Sequence, residues 1–277
     1  MLTSVVLILS PRQNARLPIH LGRANYAATL ALLDSVCPGL SDQIHDWPGS
    51  KPLTCSGLNG PTERSEELVK VDKGQEYWVR MTGLTPPVSQ ALIEACLARR
   101  PERWQLDRCL FDVVGAACNP LYHAWSGSID YETLAQRHLL APAAAEARTV
   151  TLQLFSPTAF KSNEMQMPLP LPRLLFGNLI DRWNAFSPVP LNPEMRDFGE
   201  QAIEIGEFQL ASRLVRQKSN GKRKSFRSGA VGTVSYRAQV RDRYWLGLMQ
   251  LLADFALFSG VGVQTSTGMG QVRRLDS

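Results

Sequence analysis

The stretch Ser259-Gly260-Val261-Gly262-Val263-Gln264-Thr265-Ser266-Thr267-Gly268-Met269-Gly270-Gln271-Val272 places four glycines within eleven residues, between a helix candidate at Tyr244–Phe258 and a strand candidate at Gln271–Leu275. Glycine tolerates positive φ and lets a second backbone approach closely. Thr265, Ser266 and Thr267 add hydroxyl donors without negative charge. Two uses fit such a loop: a cradle of bare N–H groups for a phosphate, or a tight turn at the end of a sheet. Familiar glycine motifs do not choose between them. A dinucleotide fingerprint needs G-x-G-x-x-G opening a helix, but Thr265 stands where the third glycine belongs and too few residues follow for a βαβ unit. With no acidic ribose partner either, a nicotinamide enzyme is the least supported class.

The elements around the loop set the fold. Thr149–Phe155, Ile203–Val215 and Ala230–Val240 read as strands, and Leu171–Asn184 and Pro193–Ala202 as helices. In the first half, a strand at Thr3–Leu9 is followed by a helix at Gly22–Val36, with Tyr26, Leu30 and Leu33 on one face and Cys37-Pro38-Gly39 as its stop. A helical turn at Leu40–Ile44, strands at Pro52–Ser56 and Tyr77–Thr82, a helix at Val88–Ala98 opened by Pro86-Pro87, and strands at Trp104–Asp107 and Cys109–Ala117 complete it. An alanine-rich connection runs from Ile129 to Arg148. Each half reads βαββαβ, which predicts an α+β fold of two tandem ferredoxin-like (RRM-like) domains. The expected division is residues 1–140 and 141–277, the second domain carrying a basic hairpin and the glycine-rich loop.

Length and charge agree with two domains and an anionic partner. The chain has 277 residues and a formal net charge of +5, which permits such a partner without requiring one. Distribution says more: Arg213, Arg216, Lys218, Lys222, Arg223, Lys224 and Arg227 fall within fifteen residues that hold no acid. Flanked by two strands and centred on Ser219-Asn220-Gly221, they are expected to project from a β-hairpin, a shape suited to nucleic acid. Cys37, Cys55, Cys96, Cys109 and Cys118 are odd in number and lack metal-ligand spacing, so they read as buried thiols in a reducing compartment. The apolar start, Thr3 to Ser10, is too short to span a bilayer. A cytoplasmic protein without membrane partners is the expectation.

Among four histidines, His45 stands between a helix end and a proline-glycine loop, where a near-neutral imidazole is useful, and Lys51 follows six residues later. His20 lies just before the first helix with Arg23 close by. By residue type alone, a histidine so placed is more often a surface or capping residue than a catalyst.

Four segments together resemble a known family, the CRISPR-associated endoribonucleases that process repeat-containing precursor RNA, the sixth numbered Cas family. Gly260-x-Gly262-x-x-Thr265-x-x-Gly268-Met269-Gly270 looks like that family's glycine-rich signature. Ile44-His45-Asp46, the step to Lys51, and Pro52-Leu53-Thr54-Cys55-Ser56 resemble its histidine-bearing segment and following strand. Phe176-Gly177-Asn178-Leu179 with Trp183-Asn184, and Gly229 to Tyr236, are also similar to family segments.

The resemblance implies tandem ferredoxin-like domains and cleavage of CRISPR repeat RNA on the 3′ side of a stem-loop, without metal or other cofactor. It implies His45 as general base or acid and Lys51 as the cation on the phosphate. Many members carry a tyrosine on the first helix, where this chain has Leu30. His20 and Arg23 are the candidates to replace it. The basic hairpin would grip the stem, and the glycine-rich loop, through Gly260, Gly262, Thr265, Gly268 and Gly270, would support the RNA backbone or the His45 segment. Other Cas subunits of an effector complex are candidate further partners. The alternative is a non-catalytic subunit that binds the repeat hairpin.

Overall fold

A ten-residue strand, β1 (Leu2–Pro11), forms the centre of the first sheet, and almost all of it is buried. Its alternation is blurred because both faces are covered. Helices cover one face, and on the other the Ser4 hydroxyl donates to the Trp125 carbonyl at 2.6 Å. After β1 come β2 (Ala15–Pro18), α1 (Gly22–Val36), α2 (Leu40–Asp46), β3 (Leu53–Cys55), β4 (Glu63–Arg64), β5 (Leu68–Val71) and β6 (Tyr77–Gly83). Helix α3 (Pro86–Ile93) opens on prolines whose missing N–H groups would have no helical partner. It widens into a π-helical turn at Glu94–Ala98. β7 (Arg103–Leu106), β8 (Cys109–Ala117) and β9 (Gly127–Ile129) close this part.

The strand order β3-β6-β1-β8-β7, with β9 beside the start of β1, contains the ferredoxin-like order with β7 as an added edge. Val5, Leu7 and Leu9 of β1 pack with Tyr77, Val79 and Met81 of β6, Leu33 of α1, and Val88 and Leu92 of α3. A small separate sheet, β2-β5-β4, has strands of two to four residues, too short to show a period in the sequence.

The computed structural model describes residues 1–65, 68–140, 147–163, 165–217 and 225–275. It divides into two units, Met1–Ile129 with Ser266–Gly268, and Asp130–Thr265 with Met269–Ser277. In the second unit α4 (Tyr131–Leu139) leads to β10 (Thr149–Thr158), β11 (Phe160–Ser162), β12 (Met165–Met167), α5 (Pro172–Phe186), α6 (Met195–Ala202), β13 (Ile203–Gln217), β14 (Ser225–Ala238), α7 (Arg243–Ser259) and β15 (Val272–Leu275). The antiparallel order β13-β14-β10-β15 is the ferredoxin-like βαββαβ arrangement.

Helix α7 is buried along most of its length, including Leu248, Leu251, Leu252 and Phe255, consistent with its nearly continuous apolar sequence. Asp242 caps it, accepting from the amides of Tyr244 at 2.9 Å and Trp245 at 3.2 Å. Trp183 of α5 packs edge-on against Tyr131 and Phe255, tying α4, α5 and α7 into one core.

All five cysteines are free thiols. Cys55, Cys96 and Cys109 are buried, but Cys37 is exposed, a correction to the expectation of buried thiols. It sits in the turn that ends α1, where no element covers it. Among the described residues no helix is long and apolar enough to cross a membrane.

Candidate functional site

The histidine segment is held by the turn between α1 and α2. Gly39 takes φ of 80°, and the Asp34 carboxylate accepts from the Gly39 amide at 2.8 Å and the Ser41 hydroxyl at 3.0 Å. These bonds, the hydroxyl first, hold the Asp34 carboxyl below its ordinary range. With the turn fixed, Leu30, Ala31, Asp34 and Ser35 of α1 and Ser41, Asp42 and His45 of α2 line one shallow groove of about 650 Å³. His45 is exposed on the last turn of α2.

Lys51 folds back onto that helix end. Its ammonium donates to the backbone carbonyls of His45 at 2.5 Å and Trp47 at 2.7 Å. A cation is favoured there because the last carbonyls of a helix lack helical donors and carry partial negative charge. Lys51 is therefore tied to the residue that carries the imidazole.

His20 and Arg23 lie at the other end of α1, His20 half-buried and Arg23 exposed. Helical rise puts the Arg23 backbone roughly 10 Å along the axis from Leu30. The groove that holds His45 and Leu30 is lined by neither His20 nor Arg23. Tyr26 is half-buried, and burial raises its phenol pKa.

The glycine-rich loop is built differently from a cradle of bare amides. The Gly260 N–H donates to Ala256 O at 2.9 Å, Val261 N–H to Gly270 O at 2.9 Å, Val263 N–H to Ala159 O at 2.9 Å and Gly270 N–H to Pro157 O at 3.0 Å. Gly262 N–H reaches the Asn178 side-chain oxygen at 2.7 Å. Of the two uses open to the loop, a cradle of bare amides and a tight turn, the turn is what these three glycines build: the N–H groups of Gly260, Gly262 and Gly270 are all engaged internally.

What these positions need is shape. Gly262 has φ of 75°, and a methyl group there would lie 2.2 Å from the Ala159 carbonyl oxygen. Ser266–Gly268 belong to the first unit. Within it, a methyl on Gly22 would come within 2.1 Å of the Thr267 carbonyl oxygen, and one on Gly268 within 3.0 Å of the Gly22 α-carbon. The start of α1 therefore meets the loop backbone to backbone.

Arg182, not singled out from the sequence, grips the loop. It is 5% exposed and donates to Ser259 O at 2.8 Å, Thr265 Oγ1 at 3.0 Å and Gly262 O at 2.9 Å. Burial lowers its pKa to about 10. Thr265 is thereby a buried acceptor for a side chain. The available signal was an arginine set between Leu179, Ile180 and Trp183 on the buried stripe of α5.

The basic segment does form a hairpin, β13–β14. Arg213 is exposed, while Arg227 is half-buried and burial lowers its pKa. Arg216 is paired with Phe226 in the register. Its side chain and Lys218, Lys222, Arg223 and Lys224 lie outside the described residues. Among the described residues no group of three or more His, Cys, Asp or Glu side chains is placed to hold a metal.

The chain thus combines two ferredoxin-like units, one with a histidine at a helix end and the other with a β-hairpin packed beside a glycine-rich loop. The family model for the CRISPR-associated endoribonuclease Cas6 matches residues 152–272. Curated relatives of that name from two Mycobacterium tuberculosis strains are 28% identical over 150 residues, 53% of this chain and 46% of theirs. The match thus spans less than half of those relatives' length.

Two solved structures are similar throughout. A "Cas6 (TTHB231) product complex" is 27% identical with TM-score 0.78 over 99% of both chains, and Thermus thermophilus Cas6 (TTHB231) is 26% identical with TM-score 0.70 over 99% of this chain and 98% of that one. A Cas6-related protein from Pyrococcus furiosus, at 13% identity, shares the fold with TM-score 0.63 over the full length of both. The chain is thus similar to Cas6 proteins, by the family-model match within its second half and by a shared fold over its length.

Proposed function

We propose that this protein is an endoribonuclease that cuts CRISPR repeat RNA at the 3′ side of a stem-loop. The ribose 2′-oxygen attacks the adjacent phosphorus as His45, acting as base, takes its proton. The bond to the 5′ oxygen breaks, an acid supplies that oxygen's proton, and the ends are a 2′,3′-cyclic phosphate and a 5′-OH. Lys51 offsets charge on the phosphorane, and no metal takes part. An imidazole in this role contributes on the order of 10²- to 10⁴-fold.

The observation that carries this reading is an exposed imidazole whose own backbone carbonyl anchors the neighbouring ammonium. It sits in a chain that is similar over 99% of its length to a Cas6 product complex. Arg213, Arg227 and the other cations of the basic segment bind the stem through phosphates, recognition resting on helix shape and a few exposed bases.

The test is incubation of the pure protein with the repeat RNA encoded beside its gene, in excess chelator. A cyclic phosphate product, lost on His45→Ala and on 2′-deoxy substitution at the cut site, is expected. Tight binding without any cut would instead support the second reading, a repeat-binding subunit that does not cleave. Leu30 favours that alternative, because it puts an aliphatic side chain in the groove with His45.

A further inference from the structure

The base of the basic hairpin is fastened to the glycine-rich loop by an apolar contact. Residues 211–214 of β13 are exposed, yet Val215 is only 8% exposed. It packs with Met269 at 2%, Ala159 at 0% and the half-buried Val263. Met269 is the residue between the last two glycines of the loop, and its burial on a hairpin side chain accounts for an apolar residue at that place.

The contact is built around the end of β10. From one side the loop holds Pro157–Ala159 through Gly270 N–H to Pro157 O at 3.0 Å and Val263 N–H to Ala159 O at 2.9 Å. From the other side β14 lies so close that a methyl on Gly229 would stand 2.7 Å from the Thr158 nitrogen. One short segment is therefore clasped by both elements, and Val215 and Met269 share one apolar cluster with its Ala159.

We propose that Val215 and Met269 form a latch that sets the direction in which the hairpin presents its arginines to RNA, making Met269 a positioning residue. This rests on the hairpin's role in the function proposed above. Arg213 is two residues before Val215 and Arg227 is its cross-strand partner, so all three share one face of the ribbon. A slip of β13 by one residue would send the Arg213 guanidinium to the opposite face from Arg227. The buried valine excludes that slip.

The experiment measures RNA affinity against salt concentration for the full chain and its variants. Losing the Arg213 and Arg227 phosphate contacts lowers the slope of log affinity by roughly 0.7 to 0.9 for each. Met269→Ala and Val215→Ser should each flatten the slope by up to about 1.5 units, and Met269→Leu should restore it. Arg213→Glu with Arg227→Glu should flatten it equally and add little on top of Met269→Ala. Melting curves identify any variant that fails to fold, in which case the substitution on the other side of the latch gives the reading. If the charge reversals flatten the slope while neither latch variant does, the latch is overturned and the hairpin's role stands. If the charge reversals leave the slope unchanged, both fall.

Discussion

The Lys51 ammonium lies 2.5 Å from the backbone carbonyl oxygen of His45, the residue six positions before it. The lysine thus closes the C-terminal end of α2 at the backbone of the residue that carries the imidazole. Lys51→Ala should reduce single-turnover cleavage by about 10²-fold, the scale of removing one charge-stabilising donor. Lys51→Arg, which keeps charge near the helix end, should recover part of the rate. Equal rates for Lys51→Ala and the unmodified protein would remove the lysine from the mechanism.

Leu30 shares its groove with His45. A phenol placed there would add the proton-transferring group that many family members carry on this helix. Leu30→Tyr should raise single-turnover cleavage by on the order of tenfold or more, while His20→Ala and Arg23→Ala should each lower it if they now substitute for that group. No change in any of the three would show that catalysis uses none of these positions.

Arg182 holds three acceptors around the glycine-rich loop from a buried position. Arg182→Ala would leave buried oxygens without donors and open a cavity, so it should destabilise the protein by about 3 kcal/mol or more in urea unfolding. A shift below about 0.5 kcal/mol, the scale of an ordinary surface substitution, would mean that the loop holds itself.

Asp254 of α7 accepts from His138 Nε2 at 2.7 Å and from Arg274 at 3.2 Å. Burial alone would raise its pKa, but the hydrogen bond and charge of His138 and the charge of Arg274 outweigh it, and the net direction is down. A carboxyl with a depressed folded-state pKa stabilises above its unfolded value, near 3.9, and loses that contribution as pH falls through the folded value. The melting-temperature advantage over Asp254→Asn should therefore be steady at neutral pH and shrink below about pH 4. An advantage that grew on acidification would reverse the assignment.

Much of the fold was legible because apolar periodicity is a local property. Helix Gly22–Val36 could be bounded from its pattern and from the proline and glycine that follow. The long strands β13 and β14 and the apolar helix α7 were equally plain. The small sheet β2-β5-β4 and the hairpin β11–β12 were not, since strands of two to four residues show no measurable alternation.

For the site, residue chemistry named His45, Lys51 and the hairpin cations but not their surroundings. Nothing in the chain order showed that Leu30 and His45 would line one groove, or that Arg182 would be the donor to the glycine-rich loop. The sequence by itself determined the repeated βαββαβ order, the cationic run and the clustering of glycines near the C-terminal helix, because these depend on neighbours along the chain. The tertiary structure alone decided that the loop's amides are engaged internally, that Met269 meets Val215, and that Lys51 rests on the His45 carbonyl. Hydrogen-bond partners and buried contacts are chosen by distance in space, and residues such as Val215 and Met269 become neighbours only once the chain has folded.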